Sequence, residues 1–423
     1  MPKRIAVERH EWAALAVAFS YFVLVLAASY MVRPVRDQLS AAVGSTALPM
    51  FYLVTFLVTL ALTPVFGALA SRFPRRQFVP AVYLFFLVCL LGFIPLFEMQ
   101  DQIGARLLGT IFFVWVSVFN LFVVAVFWSF IADIFDPQQA RRLFPIIAVG
   151  GALGAIAGPL MTKGLVYEVG VSGLLVLSAS LLGLCIACIF SLSAWARRNP
   201  VASEPDRDAR IIGGSMIGGM VQTLRSPFLR RVALLLLLGD AVGTVIYAML
   251  SDYSNATFTT REERIAFSSN VDLYANVLQI ALQVTLTREL LMRFGPSAAI
   301  MIDGLIKAVM LLGLIAFGAG WIVVVAVVTR ASAYGVFKPG ADSLYTMVDA
   351  ETRYKAKNFI DTAVWRFGDL VVTSGFNLLR AVGVTLPGFA LITVAAALTS
   401  AWQGWRVAQS DELTGKPDEK AAA

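Results

Sequence analysis

The sequence has little charge, little cysteine and almost no histidine. Only 14% of its 423 residues are charged, and it contains three cysteines and one histidine, His10. A single histidine excludes a metal site built from several histidines and a histidine proton relay. Three cysteines exclude a framework of disulfides. Because soluble domains carry about 25% charged residues, the low charge also excludes an ordinary soluble enzyme.

Long hydrophobic runs make up most of the chain instead. Hydrophobic residues account for 58% of it, and the mean hydropathy is +0.77. A membrane-spanning helix needs about 20 mostly apolar residues. Twelve runs meet this condition, and we number them as spans 1 to 12: 12–32, 48–69, 78–97, 108–131, 145–166, 173–195, 231–250, 271–291, 298–318, 322–345, 359–379 and 385–404. We therefore predict an all-α polytopic membrane protein of twelve transmembrane helices in two pseudo-symmetric six-helix bundles.

Basic residues are distributed unevenly between the two sides of the predicted membrane. If the N-terminus is cytoplasmic, the loops and termini on that side carry 23 Lys and Arg, and the opposite loops carry seven. The positive-inside rule then predicts that both termini are cytoplasmic. The first hydrophobic run is too long for a signal-peptide core, so we expect an uncleaved first span. We expect the bacterial inner membrane as the location.

One polar segment divides the twelve spans six and six. It predicts four parts: an N-terminal bundle, a cytoplasmic linker, a C-terminal bundle and a cytoplasmic tail, at 1–195, 196–230, 231–404 and 405–423. The two halves also resemble each other. Arg72-Phe follows span 2 and Arg293-Phe follows span 8, at an offset of 221 (293 minus 72), and Asp136 and Asp349 precede basic residues after spans 4 and 10, at an offset of 213 (349 minus 136). This recurrence favours a duplicated transporter fold.

Two motifs resemble those of the major facilitator superfamily. The segment from Gly67 to Arg76 is similar to the signature Gly-x-x-x-Asp-Arg-x-Gly-Arg-Arg, with Ser71 at the Asp position and Pro74 at the second Gly. Span 5 carries glycines ending in Gly158-Pro159, similar to a motif of facilitator antiporters, and small residues there predict close helix approach. The resemblance implies the facilitator fold and transport by alternating access.

Three further segments resemble the ATP/ADP translocase family of plastids and intracellular bacteria. They are Arg33-Pro-Val-Arg-Asp37 after span 1, Phe127-Trp-Ser-Phe130 and the residues up to Pro145 after span 4, and Arg353-Tyr-Lys-Ala-Lys357 before span 11. That resemblance implies exchange of nucleotides across a membrane. The chain lacks a Gly-rich phosphate loop ending in Gly-Lys-Ser/Thr, so ATP would be cargo rather than fuel.

Basic residues inside the spans indicate an anionic substrate. A charge near the bilayer centre costs about 3 kcal/mol or more, so it must face a cavity or a partner. Arg binds phosphate through two parallel hydrogen bonds, and Lys binds it as a point charge. The predicted substrate-binding residues are Arg36, Asn120, Arg330, Lys338 and Arg366.

Acidic residues at helical spacing from these cations have two interpretations. Asp303 and Lys307 lie four residues apart with the acid first, so they can form an ion pair on one helix face. Structural pairing and a functional role in coupling to protons or in releasing substrate both remain open. The residues in this group are Asp240, Asp303, Lys307, Asp342, Asp361 and Asp369.

Charged residues at the predicted cytoplasmic ends of the spans form a candidate inner gate. They are Arg72, Arg75, Arg76, Asp133, Asp136, Arg141, Arg142, Lys355 and Lys357. We expect the arginines after span 2 to set topology and contact lipid phosphates, with a gate as their second use, and Asp133 and Asp136 to pair with basic residues there. The Arg33–Asp37 segment at the outer end of span 1 is either a helix end terminated by Pro34 or an outer gate or phosphate contact.

The sequence thus predicts a secondary transporter that carries a phosphorylated organic anion, such as ATP or ADP, by exchange. The alternatives are a proton-coupled carrier of another small organic solute and a transporter-derived sensor or scaffold that moves no cargo. We expect no enzymatic activity, no cofactor and no bound metal. The expected partners are the lipid bilayer and a small anionic substrate, with no nucleic acid, and we expect a monomer.

Overall fold

The computed structural model describes residues 7–199, 216–345, 356–357 and 359–408. It is 94% helical, and this part of the chain has no strand. The protein is therefore an integral membrane protein of the all-α class, as predicted. The linker residues 200–215, the Asp349 region of the repeat and most of the predicted tail lie outside the described residues.

Helices occupy nearly all of the predicted spans. In the first half they are Trp12–Val43, Leu48–Arg72, Arg75–Glu98, Ala105–Ile134 and the long stretch Pro137–Arg198. In the second half they are Pro227–Thr257, Arg261–Leu282, Arg288–Phe317, Ile322–Ser332, Lys338–Leu344, Trp365–Ala381 and Leu386–Ala408. A ten-residue helix in the linker, Met216–Arg225, precedes span 7.

The described helices reproduce the twelve spans once two bends are taken into account. Nine helical stretches are long and apolar enough to cross a membrane. Two of them contain a bend, at Gly170 and at Gly295, and so hold two spans each. Span 11, which ends in Trp365–Ala381, is too rich in charge and too short to be counted by hydropathy alone.

Span 1 is longer than predicted. Its helix continues from Trp12 to Val43 and contains Pro34, so the expectation that Pro34 ends the helix is wrong. A proline inside a helix removes one backbone hydrogen bond and crowds the preceding turn. Here Pro34 is buried, and its neighbours Val32 and Val35 are almost fully buried as well, so packing retains the helix through the proline.

Two pairs of glycines with positive φ support the duplication. Gly104 (φ 87°) precedes span 4, and Gly318 (φ 82°) precedes span 10, at an offset of 214 (318 minus 104). Gly170 (φ 60°) lies between spans 5 and 6, and Gly383 (φ 91°) lies between spans 11 and 12, at an offset of 213 (383 minus 170). Only glycine adopts such angles without strain, so the same turns end corresponding helices in both halves.

Contacts group the chain into two units. Unit 1 comprises Met1–Ala42, Ala61–Ile212 and Phe258–Leu273, and unit 2 comprises Val43–Leu60, Gly213–Thr257 and Tyr274–Ala423. The units follow the two halves of the sequence except for the beginnings of spans 2 and 8. These two segments start 215 residues apart (258 minus 43), so they are corresponding parts of the repeat.

The glycine face of span 5 packs against the backbone of span 1 in unit 1. A methyl group at Gly154 would lie 2.4 Å from the carbonyl oxygen of Val23, and one at Gly158 would lie 2.7 Å from that of Ala27. Such distances leave no room for a side chain. The predicted close approach of helices at these small residues is confirmed.

Three π-helical turns interrupt spans 8, 10 and 11 in unit 2. They are Gln283–Thr287, Ala333–Phe337 and Ile360–Val364. The first two contact each other, since the Thr287 hydroxyl donates a hydrogen bond of 2.6 Å to the carbonyl oxygen of Gly335. π turns occur often at functional sites, and here Lys338 and Trp365 directly follow two of them.

Candidate functional site

Two lysines and two aspartates form a charged cluster between spans 10 and 11 in unit 2. Lys338 Nζ lies 3.3 Å from a carboxylate oxygen of Asp342 and 3.7 Å from one of Asp361. Lys357 contacts the same two carboxylates, bonding to Asp342 and lying 3.3 Å from Asp361. We refer to Lys338, Asp342, Lys357 and Asp361 as the ionic tetrad. Its charges balance, and each cation is shared between two acids.

Aromatic rings border the ionic tetrad. Lys338 Nζ lies 5.4 Å from the ring centre of Trp365, and Lys357 Nζ lies 4.9 Å from that of Tyr345. A cation over an aromatic face gains about 0.5–2 kcal/mol. The side chains of Lys338 and Lys357 are still 25% and 37% exposed. The cations are thus held in place while remaining accessible to a small molecule.

A second charged group lies between spans 7 and 11. The Thr244 hydroxyl donates a hydrogen bond of 2.7 Å to Asp369 Oδ1, and Arg366 Nη1 is 3.9 Å from Asp369 Oδ2. Asp240 borders both Asp369 and Arg366. Its Oδ2 is buried and, within the described residues, receives no hydrogen bond. We refer to Asp240 and Asp369 as the carboxyl pair.

Asp303 and Lys307 form a third group, which is sealed from solvent. Their side chains are 1% and 3% exposed, and the Lys307 ammonium lies 2.8 Å from Asp303 Oδ2. Ser332 donates a hydrogen bond of 2.6 Å to the other carboxylate oxygen, and the ammonium lies 3.4 Å from the carbonyl oxygen of Gly239. These contacts join spans 7, 9 and 10, which is the arrangement that structural pairing requires. A ligand could not reach either charge without unpacking the helices.

The other predicted substrate-binding residues lie apart from these groups. Arg330 is partly buried in span 10, two turns before Lys338. In unit 1, Arg36 binds one Asp37 oxygen through two nitrogens, at 2.9 and 2.6 Å, and its guanidinium lies 4.9 Å from the Phe113 ring centre. Asn120 is partly buried in span 4. The structure therefore gathers Lys338 and Arg366 into one unit with the acids, and it leaves Arg36 and Asn120 in the other.

The predicted gate residue Arg142 contacts an acid that the sequence analysis missed. Its guanidinium lies 2.8 and 3.2 Å from the two carboxylate oxygens of Glu11, at the start of span 1. Burial alone would raise the pKa of Glu11. Hydrogen bonds from the Glu8 amide, Arg142 and Gln139 outweigh this effect and hold the pKa below its usual value of 4.5. Nothing near Glu11 in the sequence indicates this partner, which lies 131 residues away.

The remaining gate residues show no cluster in the described part of the chain. Asp136 caps the helix that begins at Pro137, accepting hydrogen bonds from the amides of Gln138 and Gln139. Four others are exposed: Arg72, Arg76, Asp133 and Arg141. The Arg75 side chain and Lys355 lie outside the described residues. The gate role of these residues stays a prediction.

Polar contacts also occur at the opposite ends of the spans. In unit 2, Asp252 accepts hydrogen bonds of 2.8 Å from the amide and the hydroxyl of Ser45 and from Arg380. In unit 1, Arg33 lies 3.6 Å from the buried carboxylate of Asp272. Asp272 is an acid in an apolar span, which signals that it needs a partner. The identity of that partner could not be read from spacing.

Comparisons with known proteins identify the fold. No family model matches the chain, and no curated protein matches it in sequence. A bacterial homologue of the iron transporter ferroportin, in an inward-facing state, superposes with a TM-score of 0.67 at 14% identity, over 94% of this chain and 99% of that one. A bacterial homologue of the human lysosomal transporter Spinster gives 0.58 at 14% identity, over 97% and 96%. The fucose:proton symporter of E. coli gives 0.58 at 15% identity, over 95% and 100%.

These likenesses establish a polytopic membrane protein with the facilitator fold. That confirms the fold class and the facilitator resemblance predicted from the loop and glycine motifs. The resemblance to the ATP/ADP translocases gains no support from any match and stays a prediction.

Proposed function

We propose that this protein is a secondary transporter that exchanges small phosphorylated organic anions by alternating access. The observation that carries the proposal is the set of accessible cations at membrane depth in unit 2, led by Lys338 and Arg366. We also propose that it resides in a bacterial inner membrane with both termini in the cytoplasm, as the distribution of Lys and Arg predicts.

The ion pairs of these cations are loose compared with the buried pair. Charge-assisted hydrogen bonds between nitrogen and oxygen measure about 2.7–2.9 Å. Lys307 reaches Asp303 within that range, whereas Lys338 and Arg366 stand 3.3 and 3.9 Å from Asp342 and Asp369. A phosphate group approaching Lys338 or Arg366 could therefore take over contacts that the carboxylates hold weakly.

The charge balance of the site sets the kind of anion that it can hold. The tetrad, the carboxyl pair, Arg330 and Arg366 together contain four cations and four acids. An anion entering this balanced set leaves an excess of negative charge at membrane depth, which is costly. The set therefore favours phosphate esters with few charges over nucleoside triphosphates. It also favours exchange, because one anion replaces another and the balance returns to the same value in every cycle.

A second candidate function, proton-coupled transport, is favoured by the carboxyl pair. Two carboxylates in contact repel each other, and a proton placed on one of them removes that repulsion. Asp240 carries a buried oxygen without a hydrogen-bond donor among the described residues. Arg366 faces the same pair. A proton on Asp240 would leave one cation in excess and so admit one negative charge of the substrate.

Counterflow into proteoliposomes tests the exchange. Vesicles preloaded with unlabelled inorganic phosphate, a hexose phosphate, AMP, ADP or ATP receive the labelled form of the same compound, and empty vesicles serve as the reference. We expect at least one phosphate ester of low charge to enter preloaded vesicles several-fold faster. Arg366→Gln and Lys338→Gln should reduce that uptake by tenfold or more, while Arg293→Gln, which removes an exposed cation of the same half, should not. Equal uptake by loaded and empty vesicles would refute exchange.

The response to protons separates the two candidate functions. For a proton-coupled carrier, a protonophore abolishes uptake into empty vesicles, and Asp240→Asn abolishes uptake driven by a pH gradient while counterflow persists. For an exchanger, neither change affects counterflow. Absence of uptake under every condition, with wild-type thermal stability, would favour the sensor or scaffold instead.

A further inference from the structure

An apolar cleft opens on unit 1 between spans 2, 3 and 4. Its volume is about 480 Å³, and among its lining residues only Gln77 is polar. Phe66 forms the floor, stacked on Phe122 with ring centres 4.2 Å apart and tilted against Phe78 at 5.2 Å. Stacked rings resist rotation, so the floor is a fixed surface rather than a gap that neighbouring side chains can fill.

The length of the cleft matches one leaflet of a bilayer. Its lining residues on span 3 run from Gln77 to Phe86, nine residues further on. At 1.5 Å per residue this run covers about 14 Å. The hydrocarbon core of a bilayer is about 30 Å thick, so each leaflet contributes about 15 Å. A single acyl chain lying along the helices would fill this length.

Basic residues stand at one end of the cleft. Arg72 and Arg76 are exposed and directly precede the lining residues Phe73 and Gln77. The stretch 62–97 contains no Asp or Glu, and Ser71 occupies the position where the resembling facilitator motif has its Asp. The cationic end therefore has no acid of its own loop to neutralise it, and it lies on the side that the positive-inside rule places in the cytoplasm.

From this combination we infer a binding site for an anionic phospholipid of the cytoplasmic leaflet. One acyl chain lies in the cleft on Phe66, and the headgroup phosphate contacts Arg72 and Arg76. Basic groups between or beside transmembrane helices on the cytoplasmic side attract anionic headgroups, while the apolar wall selects a chain over a soluble phosphate. The site does not depend on the proposed transport activity.

The preference for lipid charge tests the headgroup contact. Purified protein is placed in nanodiscs of phosphatidylcholine alone or with phosphatidylglycerol, and retained lipid is counted by native mass spectrometry after mild delipidation. We expect wild-type protein to retain phosphatidylglycerol. Arg72→Gln with Arg76→Gln should weaken its binding by about 30-fold, and the Lys variants at both positions should keep it. The control is Arg197→Gln with Arg198→Gln, an exposed pair at the end of span 6, away from the cleft.

Filling the cleft tests the chain contact. Ala81 lines the cleft and is exposed, so Ala81→Leu and Ala81→Trp add graded volume without burying a new group in the core. Retention of phosphatidylglycerol should fall in that order. Equal losses in the Arg72/Arg76 and Arg197/Arg198 variants would show general surface attraction and overturn the site. Unchanged retention in both Ala81 variants would equally overturn it.

Discussion

The buried ion pair of span 9 predicts a large penalty when only one partner is removed. Lys307→Met leaves the Asp303 carboxylate 1% exposed, with Ser332 as its remaining hydrogen-bond donor at 2.6 Å. Removing one partner of a buried pair typically lowers the free energy of unfolding by about 3–5 kcal/mol, because an uncompensated charge stays in the interior. We expect a loss in that range.

The double variant Asp303→Asn with Lys307→Met should recover most of this loss. It leaves no charge in the interior, and the asparagine oxygen can still accept the Ser332 hydrogen bond. Replacing a buried pair by neutral residues is often close to neutral for stability. Equilibrium unfolding in mixed detergent micelles, followed by circular dichroism, measures both free energies.

Glu289 and Arg293 provide a matched control on the adjoining part of the same helical stretch. They have the same spacing of four residues with the acid first, at 2.9 Å, but their side chains are 64% and 68% exposed. Glu289→Gln should cost no more than about 0.5 kcal/mol. The reasoning fails if Lys307→Met costs as little as the control, or if the double variant is as unstable as the single one. A stable double variant that retains counterflow would assign the pair a structural role.

Three further predictions concern packing, pH and the π turns. Gly154→Val should cost at least about 1–3 kcal/mol, measured as above, because a methyl group there lies 2.4 Å from a carbonyl oxygen of span 1. Glu11→Gln should lower stability at pH 7 by about 1–2 kcal/mol through its bonds to Arg142. Because the folded-state pKa of Glu11 is lowered, that difference should persist above pH 4.5 and vanish as the pH falls below it. Thr287→Val should cost about 0.5–1.5 kcal/mol through the lost bond to Gly335.

Each of these changes has its own control. Gly164 lies on the same span as Gly154 with no atom near its missing side chain, so Gly164→Val should cost clearly less; equal costs would contradict the packing argument. Thr285 is exposed and bonds only within its own helix, and Thr285→Val should leave stability unchanged. For Glu11, a stability gap that stays constant from pH 7 to pH 3.5 would show that Arg142 does not stabilise the charged carboxylate.

Much of the fold could be predicted from the sequence because its signals are local. A span is a run of apolar residues, and the spacing of Asp303 and Lys307 already allowed a pair on one helix face. The span 5 glycines indicated a close approach, and the structure shows span 1 as the helix that approaches. Each of these inferences needs only the period of one helix.

The rest of the candidate site depends on contacts between distant segments. Ser332 completes the buried pair from 29 residues away, and Thr244 bonds Asp369 from 125 residues away. Glu11 and Arg142 are further examples. No periodicity encodes which helices become neighbours, so these partners emerge only when the chain is folded. Span 1 shows the converse error: the local rule for Pro34 failed because burial of its neighbours outweighed it.

The π turns have a geometrical consequence for the charged residues beyond them. Each wide turn adds one residue to a helix, and one residue corresponds to about 100° of rotation. Lys338 directly follows one such turn, and Arg366 comes two residues after another. A helical wheel drawn from the start of either helix would therefore aim both cations at the wrong face. If either turn tightened to a regular α-helix, its cation would swing about a quarter of a circle away from its present acids.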